Sequence, residues 1–501
     1  MNGEIIRKIL LKLVSLILLI VIINYIYKYF FYEQDLQRYS DVINLVRAVP
    51  NDADIIYIGE SSNITFRDDD IDKRPISALI SDYFPDLKVY DITKPASHAG
   101  IYKILLQNIS EDSRVKTIIV TLNMRSFNTV WIHSKLETSL QKSMVLLKPY
   151  PPIVNRFLLS FKAYDIKTEE ERTEQIKEFW KKDTLHFPYK FPFTNVIQWD
   201  KWMSKTGIKG ANGKRDWKKT NLACHYIKTY GFQIDTLNNP RIKDFDDIIS
   251  LAKKRGWNLV FNLLAENVEK AEKLVGKDIV FLMKENRDIL KKYFQNRGIP
   301  VVDNLTIVPD TQFIDQNWTT EHYAEDGRKL IAKNVASALK EFYPGKYKKM
   351  GYSNTLQTGF FNNCDDGVIW GQMSSVTSEA SFSGSKSSKT GKGNKYSIVF
   401  SYPLKLMPDS LKNKIDIAFK VKPETDNPTG ALVIQAKGEK FNSFSQSYSL
   451  KGKVNQAGKW QNFNKTFIIP DSIKDADLIK IYLFNPSNEI IYLDDFKIDF
   501  K

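Results

Sequence analysis

Apolar and polar positions follow two different periods along the chain, and the period changes near residue 350. Between residues 54 and 342, short apolar runs of strand length alternate with segments whose apolar residues recur at helical spacing. The runs are Ile55–Ile58, Lys88–Ile92, Thr117–Leu122, Asn258–Leu264 and Ile299–Val302. Strands that alternate with helices are typical of βαβ units. The pattern therefore predicts an α/β domain with a parallel sheet over residues 34–343.

The last third of the chain follows a strand period of two instead. It is rich in Ser, Thr and Asn, and Ile415, Ile417, Phe419 and Val421 alternate with polar residues. Further strands are predicted at Ala431–Ala436, Asn462–Ile469 and Ile479–Phe484. After a polar linker at residues 343–352, we predict an all-β sandwich over residues 353–501.

The first apolar stretch, Ile9–Phe31, has the composition of a membrane-spanning helix. Arg7, Lys8 and Lys12 precede its apolar core, so the positive-inside rule places the N-terminus in the cytoplasm. We predict a signal anchor over residues 1–33, a single pass through the cell membrane, and a periplasmic or extracellular position for the rest of the chain. A cleavable signal peptide is the alternative, which the bulky aromatic residues after the core disfavour.

The segment at residues 131–256 breaks the strand–helix rhythm. It is rich in Trp, Phe and Tyr, and it contains a charged helical pattern at Thr168–Lys182. We interpret it as an insertion over the carboxyl edge of the sheet, serving as a cap or a substrate platform. Its aromatic rings are candidates for stacking on sugars, and the alternative is that they form the cap's own small core.

Composition narrows the possible chemistry. The chain has 501 residues, which is too long for one ordinary domain. Its formal net charge is +15. The basic residues form no long run and no nucleic-acid motif, so we expect no nucleic-acid partner; solvated lysines or an anionic surface explain the charge. The two cysteines, Cys224 and Cys364, form no metal-binding spacing. Because an exported domain has no supply of ATP or NAD(P)H, we expect hydrolysis or group transfer that requires no cofactor.

Two residues far apart in sequence are the candidates for this chemistry. Ser61 follows the first strand after a turn at Gly59, where open α/β sheets place reactive groups. His322 lies after the last strand and before the closing helix, from where an imidazole can reach the same edge and act as the base that a serine nucleophile needs. Two plainer interpretations stay open: Ser61 and Ser62 cap a following helix, and His322 is a surface residue.

With these residues the chain resembles the SGNH/GDSL hydrolase superfamily, and more closely its membrane-anchored branch akin to DltD and the alginate and O-antigen acetylation proteins. Gly59-Glu60-Ser61 stands where the family has its Gly-Asp/Ser-Ser turn, and His322 with Gly327 fits the last block. The resemblance implies a flavodoxin-like three-layer α/β/α fold with a parallel sheet, with Ser61 as nucleophile. It implies three oxyanion donors: the backbone amides of Ser61 and Gly100 and the side chain of Asn123.

The sequence departs from the family at the acid. The family's Asp three positions before the His is Thr319 here, whereas Asp315 and Glu321 lie nearby at other spacings. Three interpretations follow: a Ser–His dyad, a triad with a displaced acid, and a weakened enzyme. We take Asp315 as the predicted acid. The family's usual Gly-x-Asn-Asp motif is also absent around Asn123.

The predicted sandwich resembles jelly-roll carbohydrate-binding modules through Glu379–Ser388, Trp460 and the closing YLDDF sequence. Asp494 and Asp495 are candidate ligands of a structural calcium ion, because hard cations take carboxylate oxygens. A solvated strand end is the alternative for these two residues. Trp370 and Trp460 are candidates either for glycan contact or for the core.

Together these features predict an exported, membrane-anchored serine O-acyltransferase or esterase that acts on acyl groups of a cell-surface polysaccharide. The resemblance implies a membrane-bound O-acyltransferase as a partner that feeds acyl groups across the membrane. The alternative is a catalytically weakened SGNH-fold protein that binds or assembles glycans. Transfer and hydrolysis share their first half-reaction and differ in whether water is kept from the acyl-enzyme.

Overall fold

The computed structural model describes residues 3–34, 41–47, 49–137, 141, 152–161, 164–348, 358–365, 370–438 and 441–501. The chain divides into two compact units. The first holds Met1–Ile64, Ile76–His322 and Gly327–Lys348, and the second holds Thr65–Pro75, Tyr323–Asp326 and Lys349–Lys501. The sequence predicts one boundary at residues 343–353. The structure adds two short upstream segments to the second unit, and residue 353 itself lies outside the described residues.

The first unit is built on a five-stranded sheet whose strands are all parallel. The strands are β1 Ile55–Gly59, β2 Val89–Thr93, β3 Thr117–Leu122, β4 Asn258–Leu263 and β5 Val301–Asp303. Their order is β2-β1-β3-β4-β5, which is a doubly wound order. Because the chain moves to one side of β1 and then to the other, right-handed connections place the crossover helices on both faces. The predicted parallel α/β sheet is confirmed.

Helices cover this sheet so completely that every residue of β1 and β3 is buried, as expected for a parallel sheet. The described helices before the sandwich are α1 Gly3–Phe30, α2 Asp41–Arg47, α3 Ile76–Ser81, α4 Ala99–Gln107, α5 Thr129–Ile132, α6 Pro152–Ser160, α7 Glu169–Lys182, α8 Val196–Thr206, α9 Trp217–Tyr230, α10 Pro240–Arg255, α11 Val268–Val275, α12 Lys277–Gln295 and α13 Glu325–Leu339.

The described residues of the segment 131–256 are mostly helical, and only part of the segment is an insertion. The predicted charged helix is α7, and it begins at a capping box in which Thr168 and Glu171 each accept the other's backbone amide. The last helix of the segment, α10, packs against α4 and β4. It is therefore the crossover that returns the chain from β3 to β4, and it belongs to the α/β domain. This corrects the interpretation of the whole segment as an added cap.

The N-terminal helix α1 is, by its length and composition, long and apolar enough to cross a membrane. It begins six residues before the predicted apolar stretch and ends at Phe30. Its apolar side chains are almost all exposed. A helix of this length and composition is compatible with the predicted signal anchor.

The second unit contains two antiparallel sheets with a shared apolar core. Its strands are β6 Gly359–Asn362, β7 Val376–Thr377, β8 Ser387–Thr390, β9 Phe400–Tyr402, β10 Lys414–Pro423, β11 Ala431–Gly438, β12 Phe441–Ser449, β13 Gln461–Ile468, β14 Leu478–Phe484 and β15 Ile491–Phe500. One sheet has the order β13-β10-β15-β8-β7 with β6 also on β15, and the other has the order β12-β11-β14-β9. Burial alternates strictly along β10, as the sequence period predicts.

The upstream segment Thr65–Pro75 is held within this second unit by polar contacts. The Lys73 ammonium donates to the Ser401 carbonyl at 3.2 Å. The Glu325 carboxylate accepts the backbone amides of Ile71 and Asp72 at 2.7 and 2.9 Å. Lys480 pairs with Asp68. These contacts join positions hundreds of residues apart, so no local sequence pattern predicts them.

The predicted calcium ligands in β15 do not fit a metal site. Asp494 accepts the backbone amides of Phe382, Ser383 and Asp495 at 2.6, 3.1 and 2.7 Å, so its lone pairs face N–H donors. The Ser383 hydroxyl donates to Asp495 at 2.5 Å. Among the described residues, no group of three or more His, Cys, Asp or Glu is arranged to hold a metal ion. The two carboxylates instead fix the loop before β8.

Of the two tryptophan candidates of the second unit, the structure places Trp370 in the core and leaves Trp460 half-buried. Trp370 is buried and packs edge-on against Phe400 and Phe496. Trp460 contacts Phe382, with ring centroids 6.0 Å apart. The cysteine of the second unit, Cys364, is free and buried, and so is Cys224 of the first unit.

Candidate active site

Ser61 is presented at the carboxyl end of β1 by a tight approach to the neighbouring strand. A Cβ atom on Gly59 would lie 2.8 Å from the Cγ2 atom of Thr121 in β3, which is closer than real Cβ contacts allow. Glycine is therefore required at the end of this strand. Glu60 continues in an extended conformation, and Ser61 opens a single 3₁₀ turn that ends at Asn63.

The fully buried Asn63 side chain fixes this turn to its surroundings. Its oxygen accepts the Ser77 amide at 2.9 Å, and its nitrogen donates to the Thr93 hydroxyl at 2.8 Å. In the described segment 49–137, the next α-helix after the turn is α3, which begins at Ile76. Ser61 and Ser62 therefore cap no α-helix, and the alternative interpretation of these serines is not met.

Ser61, His322 and Asp315 form a continuous hydrogen-bonded chain. The Ser61 hydroxyl lies 2.9 Å from Nε2 of His322, and Nδ1 of His322 lies 2.6 Å from a carboxylate oxygen of Asp315. The His322 side chain is 24% exposed and the Asp315 side chain 37%. A nucleophile, a base and an orienting acid in this order are the arrangement that activates a serine hydroxyl.

The loop that carries both His322 and Asp315 is closed on itself. The Ile314 amide donates to the His322 carbonyl at 2.9 Å, so the two ends of the loop lie side by side. The Thr320 hydroxyl also donates to Asp315, at 2.5 Å. These bonds bring a carboxylate seven positions before the histidine to the imidazole, although the family's spacing is three.

The two predicted oxyanion donors outside the turn are engaged with other acceptors. The Gly100 amide donates to Nδ1 of His98, at the start of α4, at 3.2 Å. A backbone amide has a single hydrogen, so Gly100 cannot serve an oxyanion while this bond exists. The Asn123 side chain donates one of its two hydrogens to Glu60 at 2.6 Å. Its second hydrogen keeps Asn123 as the predicted side-chain donor.

Behind the turn lies a buried charged cluster that the sequence analysis did not predict. Its members are Glu60, Arg125, Glu266 and Glu321, all nearly inaccessible. Arg125 pairs with Glu321 and also donates to the Thr319 carbonyl. The Tyr230 hydroxyl donates to Glu266. Three carboxyl groups thus lie around one cation. If all three were ionised, the buried excess of negative charge would cost a large free energy.

Protonation relieves this excess of negative charge. Burial, reinforced by the negative charge of Glu321, raises the pKa of Glu60 to about 8, although Arg125 and the Asn123 hydrogen bond oppose the shift. Burial and Glu321 also raise the pKa of Glu266 well above its ordinary value. At neutral pH Glu60 is therefore mainly protonated, and the raised pKa of Glu266 acts in the same direction, which reduces the negative charge around Arg125.

A sequence signal for this cluster exists. Arg125 lies three residues after the end of β3, and Glu266 lies three residues after the end of β4. Charged residues just beyond the carboxyl ends of parallel strands meet at one edge of the sheet. The equal offset from two adjacent strands identifies them as neighbours once the strand order is known.

Replacing Glu60 by Gln should change how stability depends on pH. The pKa of Glu60 in the folded chain lies above the unfolded value, so the folded chain keeps a proton that the unfolded chain loses. Stability of the wild type therefore falls as pH rises from about 4.5 to about 8. Gln keeps the acceptor for Asn123 and cannot ionise. We expect the variant to gain about 4 kcal/mol in unfolding free energy at pH 8 and almost nothing at pH 4.5.

Urea unfolding of the detergent-solubilised chain across this pH range measures the difference. The exposed Glu111 provides the matched control, since Glu111→Gln makes the same chemical change on the surface. Parallel stability curves for Glu60→Gln and the wild type would show that Glu60 is ionised in the folded chain.

One face of α9 lies against the loop that carries Asp315 and His322. The His225 ring lies against Trp318, with centroids 3.7 Å apart and planes tilted by 55°. One turn later the Thr229 hydroxyl lies 3.3 Å from that of Thr319. Burial, with the positive charges of Lys228 and Arg125, lowers the pKa of His225 to about 4, so this ring is neutral. The segment at residues 131–256 thus contributes directly to the surroundings of the site.

Comparison with known proteins gives only partial likenesses. No protein-family model matches the sequence, and no curated protein matches it. A family 16 carbohydrate-binding module matches with 16% identity, a TM-score of 0.19, and 25% of this chain and 82% of the module covered.

Two xylan-related modules match at a similar level. The CBM22-1 xylan-binding domain of a Paenibacillus barcinonensis protein has 18% identity and a TM-score of 0.18, and the match covers 25% of this chain and 78% of the domain. A C-terminal family 22 carbohydrate-binding module of Clostridium thermocellum has 10% identity and a TM-score of 0.18, with 29% of this chain and 82% of the module covered. No functional role of this chain follows from these matches.

Proposed function

We propose that this chain is an exported, membrane-anchored serine O-acyltransferase or esterase that acts on acyl groups of a cell-surface polysaccharide. The observation that carries the proposal is the hydrogen-bonded chain from Ser61 through His322 to Asp315, with distances of 2.9 and 2.6 Å. The apolar helix α1 supports the anchored topology. The resemblance of Gly59-Glu60-Ser61 to the SGNH/GDSL turn supports acyl chemistry in particular.

The first half-reaction transfers an acyl group to the enzyme. Nε2 of His322 takes the Ser61 proton while the Ser61 oxygen attacks the acyl carbonyl carbon. Asp315 holds the Nδ1–H of the imidazole and stabilises the imidazolium that forms. The Ser61 amide and the second hydrogen of Asn123 donate to the developing oxyanion. His322 then returns its proton to the departing alkoxide oxygen, which leaves an ester on Ser61.

The second half-reaction decides between the two activities. A sugar hydroxyl or a water molecule gives its proton to His322 and attacks the ester carbon, and Ser61 recovers its proton when the ester bond breaks. A sugar hydroxyl yields an acylated glycan, and water yields a free acid. The polysaccharide is the proposed partner, together with a membrane-bound O-acyltransferase that supplies acyl groups. The proposed reaction uses no cofactor and no nucleic acid.

Labelling with a fluorophosphonate probe tests the nucleophile. We expect stoichiometric labelling of the full chain, located at Ser61 by peptide mass spectrometry, because the probe forms a covalent bond only with an activated serine. Ser61→Ala and His322→Ala should abolish labelling, and Ser62→Ala should retain it. Absence of labelling in a chain that still binds glycans would favour the second candidate, a glycan-binding or assembly protein, for which Thr319 at the family's acid position is the supporting observation.

A further inference from the structure

The loop between Asp315 and His322 exposes a large aromatic ring beside the proposed catalytic groups. Trp318 is 52% exposed, although it lies only three residues from Asp315 and four from His322. A tryptophan left in water costs burial energy that a core position would recover. Its flat apolar face and polar edge suit a ligand that is itself amphipathic.

The ring of Trp318 is supported from behind by the neutral side chain of His225. Because α9 holds this histidine, the indole rests on a rigid element rather than on the loop alone. The next residue, Thr319, is fixed by Arg125 through its carbonyl and by Thr229 through its hydroxyl. The exposed ring is therefore held in place before any ligand arrives, which lowers the entropic cost of binding.

A second aromatic ring borders the same group of residues. The Arg125 guanidinium carbon lies 4.8 Å from the ring centroid of Trp131, which is partly exposed. Arg125 thus contacts both Trp131 and the loop position next to Trp318. Two partly exposed indoles and a few fixed polar groups beside the loop that carries His322 are the kind of lining that orients a ligand.

We propose that Trp318, supported by His225, is a stacking platform for a pyranose ring of the glycan, and that it positions the sugar whose acyl ester or hydroxyl reacts at Ser61. This inference rests on the proposed function and adds the substrate subsite to it. The apolar C–H face of a pyranose covers the exposed indole face, and the sugar hydroxyls stay available to the reacting groups. Trp318 is a binding residue and takes no part in proton transfer.

The platform predicts different effects on substrates with and without a sugar. p-Nitrophenyl acetate carries no pyranose, so Trp318→Ala should leave its kcat/KM within about twofold of the wild type. For acetylated xylohexaose, cellohexaose or chitohexaose, the substrate among the three that the wild type uses best should show a KM about tenfold higher in Trp318→Ala, with kcat nearly unchanged. Trp318→Phe should recover most of this loss, because it keeps an aromatic face.

Trp217→Ala is the matched control. Trp217 belongs to the same 131–256 segment, is 64% exposed, and stacks with Arg215 at 4.0 Å. It should leave the constants for both kinds of substrate unchanged. An equal loss on p-nitrophenyl acetate and on the hexasaccharide would overturn the platform and show that Trp318 only supports the loop. An unchanged KM for the hexasaccharide would also overturn it, as would a wild type that hydrolyses p-nitrophenyl acetate and uses none of the three hexasaccharides.

Binding measured without turnover separates this inference from the proposed function. Calorimetry on Ser61→Ala and on the double variant Ser61→Ala/Trp318→Ala compares the affinity for the three hexasaccharides, and any site in the second unit is the same in both. A tenfold weaker affinity in the double variant, in a chain whose wild type hydrolyses no ester, would retain the platform and reject the acyl chemistry. Equal affinities of the two variants, in a chain whose wild type hydrolyses esters, would reject the platform and retain the acyl chemistry.

Discussion

Ser61→Ala should lower kcat for p-nitrophenyl acetate hydrolysis by at least about 1,000-fold. Alanine removes the oxygen that would form the acyl-enzyme, while the remaining oxyanion donors and the binding surface leave only a small residual rate. The KM should change little, because the hydroxyl makes its main new interaction in the transition state. The measurement is steady-state hydrolysis by the purified full chain in detergent, with acylation of the cell-surface glycan in cells as the second readout.

Ser62→Ala is the control for this substitution. Ser62 occupies the same 3₁₀ turn and is buried, whereas the contact with His322 is made by Ser61. We expect Ser62→Ala to retain most of the activity. Persistence of both ester hydrolysis and glycan acylation in Ser61→Ala would show that another residue is the nucleophile.

Asp315→Asn should lower kcat by about 100- to 1,000-fold and leave KM nearly unchanged. An amide can no longer accept the Nδ1–H of His322 with a full negative charge, so the useful tautomer and the imidazolium both lose their stabilisation. The effect is expected to fall below that of a fully buried triad carboxylate. Asp315 is 37% exposed, and water can replace part of its interaction.

Glu321→Gln separates the displaced acid from its neighbour. Glu321 lies one residue before His322, but its carboxylate pairs with Arg125. The substitution keeps a side chain of the same shape, and we expect kcat to stay within about tenfold of the wild type because no catalytic proton passes through Glu321. A larger loss in Glu321→Gln than in Asp315→Asn would assign the acid to Glu321. No loss in either variant would indicate a Ser–His dyad.

Local sequence period determined most of the architecture. Four predicted strands recur within a residue or so at each end as β1 to β4. The reason is clearest for β1 and β3, which are buried along their whole length and therefore appear in the sequence as short, mainly apolar runs. Strict alternation of apolar and polar residues predicted β10 of the sandwich in the same way. The position of Ser61 just after β1 and that of His322 just before the closing helix α13 also followed from the pattern. The order of the strands along the chain and the residues at which they end depend on neighbouring residues, so they can be predicted from the sequence.

The contact between Asp315 and His322 depends on the fold of one loop. The sequence analysis took Asp315 as the predicted acid, although neither Asp315 nor Glu321 has the family's spacing. In the structure the hydrogen bond between Ile314 and His322 closes the loop, and Asp315 lies 2.6 Å from the imidazole. The same limit applied to Gly100, whose amide is taken by a histidine two residues before it. Hydrogen-bond partners in loops are decided by backbone geometry that no periodicity reports.

What the sequence alone determined about this protein is its order of strands and helices and the two ends of the candidate site, because period and turn chemistry act between neighbours in the chain. Only the tertiary structure decided the contact between Asp315 and His322, the buried cluster of Arg125 with Glu60, Glu266 and Glu321, and the contact of α9 with the loop at residues 315–322. Those interactions join residues separated by up to hundreds of positions. Their energies depend on burial and distance, which exist only once the chain has folded.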